Sequence, residues 1–414
     1  MTLIKTSILT AISTVLRVFT GFIINKCVSV YIGPSGLAMV GQFQNFVAIT
    51  STIANGAISQ GVVKYVAQYR EDIEMKSKIL STAILIALAC AVLVGTVLNL
   101  FSLELSLYLL KSANYQSIFQ IFGFTIILFS LNTLLMSILN GEKEIKKYVM
   151  INIISSLFSL VFTSFLVIKF ALLGSLFAMV FNLSVIFFIT LLLVAKSPWF
   201  HISYFRQGFD RESGLKLGKY ILMALVSAIT VPLSQMLVRD YIANSLDWQS
   251  AGYWQGIWYI SSMYLMVVTT SLGVYYLPRL SEIKNPLELK KEIIDGYKII
   301  LPIVSVVAFG IYSFKEFLVY IAFTESFMPM LELFKWQLIG DVIKIASWLL
   351  SYIMLAKAMT KLYIYTEIIF STLFVLLSMF CIDRFGLIGV TYAFVINYLL
   401  YFMVMVFIFR REIQ

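Results

Sequence analysis

Charge is scarce in this chain: 13% of its 414 residues are Asp, Glu, Lys or Arg, against 60% hydrophobic residues. With a mean hydropathy of +0.93 it lies far outside the balance of soluble globular proteins. Cysteine is nearly absent too. Cys27, Cys90 and Cys381 each fall inside an apolar run with no CxxC pair, which excludes a disulfide framework and a thiolate metal site. His201 is the single histidine, and HExxH, GxSxG and GxxxxGK[ST] do not occur, so the common hydrolytic and nucleotide-binding signatures are missing. No metal ligand set and no bound cofactor are expected.

What is present is long hydrophobic runs. At about 20 apolar residues per crossing, spans fall near 6–30, 38–62, 79–101, 117–140, 148–168, 170–195, 217–240, 250–275, 299–321, 329–356, 362–381 and 386–409. The start, MTLIKTSILT, runs into the first of these without a small-residue cleavage site and is expected to be a membrane helix. An all-α polytopic membrane protein with twelve transmembrane helices follows. Loop cations fix its direction. Lys111, Lys169, Arg239, Lys315 and Arg384 fall on one side and the many others on the side of the N-terminus, so both termini are expected in the cytoplasm. The net charge of +10 is accounted for by topology and by contact with anionic membrane lipids, and calls for no nucleic acid.

The chain also repeats itself. KFALLGSLFAMVFN (169–182) and RFGLIGVTYAFVIN (384–397) share Phe170/Phe385, Leu172/Leu387, Gly174/Gly389, Ala178/Ala393, Val180/Val395 and Asn182/Asn397, all 215 positions apart. Six spans per half is an even number, so both halves enter the membrane in the same direction. Two lobes related by a pseudo-twofold along the membrane normal are expected: 1–200 as N-lobe, 201–216 as a cytoplasmic linker and 217–414 as C-lobe. Transporters duplicated in this way hold substrate between halves and expose it to alternate sides.

Polar stripes inside apolar helices point to a helix neighbour or a wet cavity. The first span carries Thr6, Thr10, Ser13, Arg17 and Thr20 on one face, and the second carries Asn45, Thr52, Asn55 and Ser59. The seventh has Lys219, Ser227, Thr230 and Ser234, and the eighth Gln255, Ser262 and Thr269. These four spans are repeat partners, and the simplest arrangement has them face one hydrophilic cleft. Ser and Thr bonded back to their own helix would account for any single stripe, but not for Arg17. From a helix start near Thr6, Arg17 lies about 17 Å into a hydrocarbon core of about 30 Å. The tenth span adds Gln337, Asp341, Lys344 and Ser351 on one face. Asp341 and Lys344, three residues apart, are expected to form a mutually neutralising pair or an ion-coupling site. Glu367 and Asp240 are further acidic candidates, Lys26 a further cation.

GVVKYVAQY (61–69), LMALVSAITVPLSQMLVRDYIA (222–243), GYWQGIWYISSMYL (252–265), YYLPRLSEI (275–283) and FKWQLIGDVIKIASWLLSYIMLAKA (334–358) carry a resemblance that covers nearly the whole chain. It resembles Wzx-type flippases for O-antigen and polysaccharide repeat units, within the multidrug/oligosaccharidyl-lipid/polysaccharide (MOP) exporter superfamily, and is most similar to the lipid III flippases of enterobacterial common antigen. The resemblance implies the MOP exporter fold. It also implies translocation of an undecaprenyl-diphosphate-linked oligosaccharide across the bacterial inner membrane, driven by a proton or sodium gradient, with a glycan polymerase and a chain-length regulator as partners. Arg17, Lys26 and Lys344 look matched to the cationic lumen of that family and are expected to bind the diphosphate. Thr10, Ser13, Asn45, Asn55, Ser227, Thr230, Ser234, Gln255, Ser262 and Gln337 are expected to line the cavity. The alternatives are an ion-coupled multidrug or other solute exporter of the same superfamily, and a membrane-embedded glycan-assembly enzyme or scaffold. An excess of intramembrane cations over carboxylates argues against the first, and short external loops argue against the second.

Overall fold

In lipid a backbone must satisfy its own N–H and C=O groups, and long apolar runs do so as helices. The computed structural model describes residues 3–410 apart from 198 and 284, with the side chains of 3–11, 183, 219, 220, 223, 271, 274, 277, 278 and 286 outside the description. No strand occurs among the described residues. Fourteen α-helices follow one another: α1 (Leu3–Ala54), α2 (Ser59–Gln68), α3 (Ile73–Leu100), α4 (Ser102–Leu110), α5 (Gln116–Gly141), α6 (Ile145–Val194), α7 (Arg211–Ser245), α8 (Trp248–Ser271), α9 (Leu277–Glu282), α10 (Pro286–Ser313), α11 (Lys315–Ala322), α12 (Phe334–Ala356), α13 (Thr360–Phe385) and α14 (Gly389–Ile408).

Twelve crossings emerge from these because α1 and α6 each hold two. A non-helical residue divides each of them, Gly33 (φ 72°) in α1 and Ala171 (φ 47°) in α6. Among the described residues seven stretches are long and apolar enough to cross a membrane, and those of 43, 50 and 49 residues have the length for two crossings. The more polar α7 and α8 supply the last two. The connecting loops carry the start signals of the helices. Asp72 accepts from Met75 N–H at the head of α3, Asp247 from Ser250 N–H at α8, and Asn285 from Leu287 N–H at α10, where Pro286 follows.

The duplication is visible in the backbone. Ala171 and Gly386, 215 positions apart, are both in positive-φ turns (47° and 66°) between successive spans. A Cβ on Gly174 would sit 2.0 Å from the carbonyl oxygen of Leu166, and one on Gly389 2.2 Å from that of Cys381, the same offset again. Lys143 and Ala358 share a φ above 50°, and the bonds that close their turns match: Glu144 N–H to Leu139 C=O, and Met359 N–H to Met354 C=O. In the second span of each half the helix is interrupted, by Gly56 and Ala57 in one and by a π-helical turn at Leu272–Tyr276 in the other.

By internal contacts the chain divides into two compact units: Met1–Ile32 with Met39–Pro232, and Gly33–Ala38 with Leu233–Gln414. The core of the first joins Ile79 and Leu80 of α3, Ile138 and Leu139 of α5, and Leu217 of α7. That of the second joins Leu280 of α9, Leu349 and Leu350 of α12 and Met405 of α14. Residues 199–213 are fastened to the first unit: Trp199 donates to Glu144, Ser81 to the carbonyl of Gly208 (2.8 Å), and Asp210 N–H to Thr82 (3.0 Å). Asp210 then opens α7 by accepting from Ser213 N–H (2.8 Å).

Candidate functional site

The first unit gathers uncharged polar groups. In α1, Ser13 and Thr20 are buried, and Thr20 donates back to the carbonyl of Arg17 (3.0 Å). Arg17 itself is exposed and Lys26 half-buried. The side chain of Thr10 lies outside the described residues. Asn45 is half-buried, and Asn55 is buried where α1 ends, donating to Ser59 (2.5 Å) across the break at Gly56 and Ala57. Beside that break opens a cavity of about 500 Å³ walled by α1, α2, α5 and α7. Ser130 of α5 donates to the carbonyl of Ala54, one of the carbonyls that the break leaves without a helical partner (3.1 Å). On α7, Ser227 and Thr230 are half-buried, and Thr230 is bonded back to Val226 (2.7 Å).

The second unit adds a buried carboxylate and two further cations. Asp341 of α12 is fully buried and accepts three hydrogen bonds, from Ser261 (2.6 Å) and Tyr264 (2.9 Å) of α8 and from Gln337 (3.3 Å) one turn earlier. Lys344 stands among four rings, with its ammonium 4.8 Å from the centroid of Trp348, 5.3 Å from Trp258, 5.5 Å from Tyr398 and 5.8 Å from Phe394. The direct ion pair expected between Asp341 and Lys344 does not form; among the described residues no contact of 4.0 Å or less joins them. The physical reason lies in the neighbours. Residues at i and i+3 point about 60° apart on a helix, so Asp341 meets the hydroxyls of α8 while Lys344 meets Trp258 and the i, i+4 pair Phe394 and Tyr398 of α14. Donors hold the carboxylate and ring faces the ammonium, and without direct contact Lys344 still feels the charges of Asp341 and Glu367 through space.

Arg239 is the cation that sequence reasoning misplaced. At the end of a span read as 217–240 it counts among the cations of the outer side, but α7 runs on to Ser245 and buries Arg239 almost completely. There it donates to Gln255 and lies over Trp254, 5.5 Å from the ring centroid. Ser234 is buried on the same helix, and Asp240 accepts from Asn244 (3.0 Å). Of the face read on α8, Gln255 is a buried partner of Arg239, whereas Ser262 is exposed and bonded back to Tyr259 (2.8 Å). Its neighbour Ser261 reaches Asp341 instead. Glu367 of α13 is half-buried. The unit therefore holds a hydroxyl-bound carboxylate and two cations, Lys344 among aromatic rings and Arg239 on Gln255 and Trp254. Such a set can accept and release a proton or a small cation, and can offer positive charge to an anion.

Comparison with known proteins agrees with this architecture. Residues 3–284 match the family described as polysaccharide biosynthesis protein. The lipid III flippase of Escherichia coli (strain K12) is 27% identical over 404 residues, covering 97% of each chain, and that of Shigella flexneri matches equally. Among solved structures, an inward-facing MATE multidrug transporter of the MOP superfamily superposes with a TM-score of 0.78 at 14% identity, covering 96% of this chain and 94% of that one. The lipid II flippase MurJ, in an inward closed conformation, gives 0.72 at 18%, covering 99% of this chain and 89% of MurJ. At such identities the two structures establish fold alone, the all-helical fold of MOP transporters. By its match over most of its length, this multi-pass membrane protein belongs to the polysaccharide biosynthesis protein family.

Proposed function

We propose that the protein is a flippase that carries an undecaprenyl-diphosphate-linked oligosaccharide, the repeat unit of O-antigen or a related surface glycan, from the cytoplasmic to the periplasmic leaflet by alternating access. The observation that carries this reading is the full-length match to lipid III flippases, 27% identical over 97% of each chain. The diphosphate falls to Arg17, Lys26 and Lys344, because guanidinium and ammonium groups inside a membrane protein are matched to phosphate oxygens. Asp341, with its hydroxyl donors, is the group through which a proton or sodium gradient would be coupled, and Glu367 and Asp240 are its acidic companions. The excess of loop cations on one side supports residence in the bacterial inner membrane with both termini in the cytoplasm. A glycan polymerase and a chain-length regulator are the partners this role implies. Export of drugs or other solutes, suggested by the MATE likeness, draws on fold alone.

Deletion of the gene tests the reading. A lipid-linked oligosaccharide should accumulate in the inner leaflet and surface glycan should disappear, both reversed by the intact gene. Unchanged surface glycan, with no lipid-linked precursor retained, would refute it.

A further inference from the structure

The cavity of the first unit differs in chemistry from everything the diphosphate requires. Among the described residues that line its roughly 500 Å³, none is charged. A phosphate or a carboxylate placed there would lose its water and gain no counter-charge. The wall is mostly apolar, with uncharged polar groups set into it. Gln44, Asn55 and Gln60 present carboxamides, each with donors and an acceptor, and Ser51, Thr52 and Ser59 present hydroxyls. Gln44 and Gln60 are exposed, whereas Ser51 and Asn55 stand behind them, more than nine-tenths buried, with the Ser51 hydroxyl and the Asn55 carbonyl oxygen lacking a hydrogen-bond partner. Phe129 adds an apolar ring to the same wall.

The backbone has been given up at this place as well. The membrane helix breaks at Gly56 and Ala57, with φ of 64° and 52°, between Asn55 and Ser59 of the cavity wall. Left-handed backbone at an alanine is unfavourable and persists where the surroundings require it. Interrupted helices inside a membrane are tolerated where they line a cavity.

From these observations we propose that this cavity is a subsite for an uncharged sugar ring of the transported saccharide, separate from the cations that take the diphosphate. A sugar hydroxyl both donates and accepts, as does a carboxamide, and the C–H face of a pyranose packs on an aromatic ring. The volume lies within the range of small-molecule sites. Sugars bearing a carboxylate or phosphate are excluded at this position, because nothing in the wall would compensate their charge. The inference rests on the flippase reading and adds a specificity element to it.

The test uses the full chain in lipid nanodiscs and two probes from the host membrane: the polyisoprenyl-diphosphate-linked saccharide, and polyisoprenyl diphosphate stripped of its sugars. Gln44→Ala and Asn55→Ala should each weaken binding of the first about 3- to 10-fold, the effect of one uncharged hydrogen bond, and leave binding of the second unchanged. Thr52→Val, which keeps shape and removes a hydroxyl, serves as a third variant should Asn55→Ala fail to accumulate. Equal weakening with both probes, or no weakening with either, would overturn the subsite. Absence of binding of the linked saccharide by the unaltered protein would instead refute the flippase reading itself.

Discussion

An ammonium group among hydrocarbon side chains needs something in place of its water. At Lys344 four aromatic rings supply it, and at Asp341 the substitute is three donors; neither charge makes direct contact with the other. Tyr264→Phe should therefore lower thermal stability of the purified protein by about 2 kcal/mol, the scale of a hydrogen bond to a charged group. Asp341→Asn should cost less, because Ser261 and Tyr264 can still donate to an amide oxygen. The opposite order would mean that Asp341 is needed as the counter-charge of Lys344. For Arg17 the reading predicts that Arg17→Lys retains partial export and Arg17→Ala abolishes it at normal protein levels, with lipid-linked oligosaccharide retained inside. Normal surface glycan from a well-expressed Arg17→Ala variant would remove Arg17 from the diphosphate site. At this scale the sequence was least informative. A helical wheel places Asp341 and Lys344 on one face, but their partners come from α8 and α14, which only packing brings near. The same limit explains why Ser262 was singled out when Ser261, one residue earlier, is the group that meets the carboxylate.

Whole elements were easier to anticipate. Apolar length alone located the crossings, because the bilayer fixes how many residues a helix needs, and spans read at 148–168 and 170–195, and at 362–381 and 386–409, leave room only for short turns such as those at Ala171 and Gly386. The end of α7 was misjudged by five residues, since Arg239 and Asp240 look like a loop when membrane depth is inferred from charge. The turn at Ala171 makes a prediction. Its repeat partner is Gly386, and the conformation (φ 47°, ψ −125°) is one that L side chains avoid. Ala171→Gly should stabilise the protein by about 1 kcal/mol, read as a raised melting temperature; a loss of stability would mean that the methyl group is needed for packing. A second prediction concerns the start of α7. Hydrogen bonding from Ser213 holds the Asp210 carboxyl below its ordinary value of 3.8. A depressed carboxylate contributes stability above its unfolded value, and that contribution is lost as pH falls through the folded one. Acid unfolding of the unaltered protein should accordingly contain a component below pH 3.8 that Asp210→Asn lacks; identical acid profiles would show that the cap contributes nothing.

On the scale of the molecule, both units carry charge: the first has Arg17, Lys26 and a buried Lys76–Glu142 pair 3.0 Å apart besides its uncharged cavity, and the second has the buried Asp341 together with Lys344 and Arg239. The most direct measurement of the central claim is transport by the purified protein in proteoliposomes loaded with the host's lipid-linked saccharide, read as the fraction of saccharide reached by an impermeant periodate probe over time. The account predicts that this fraction grows in vesicles containing the protein, and grows far more slowly with Arg17→Ala. No growth beyond that of protein-free vesicles, with or without an imposed proton or sodium gradient, would contradict it.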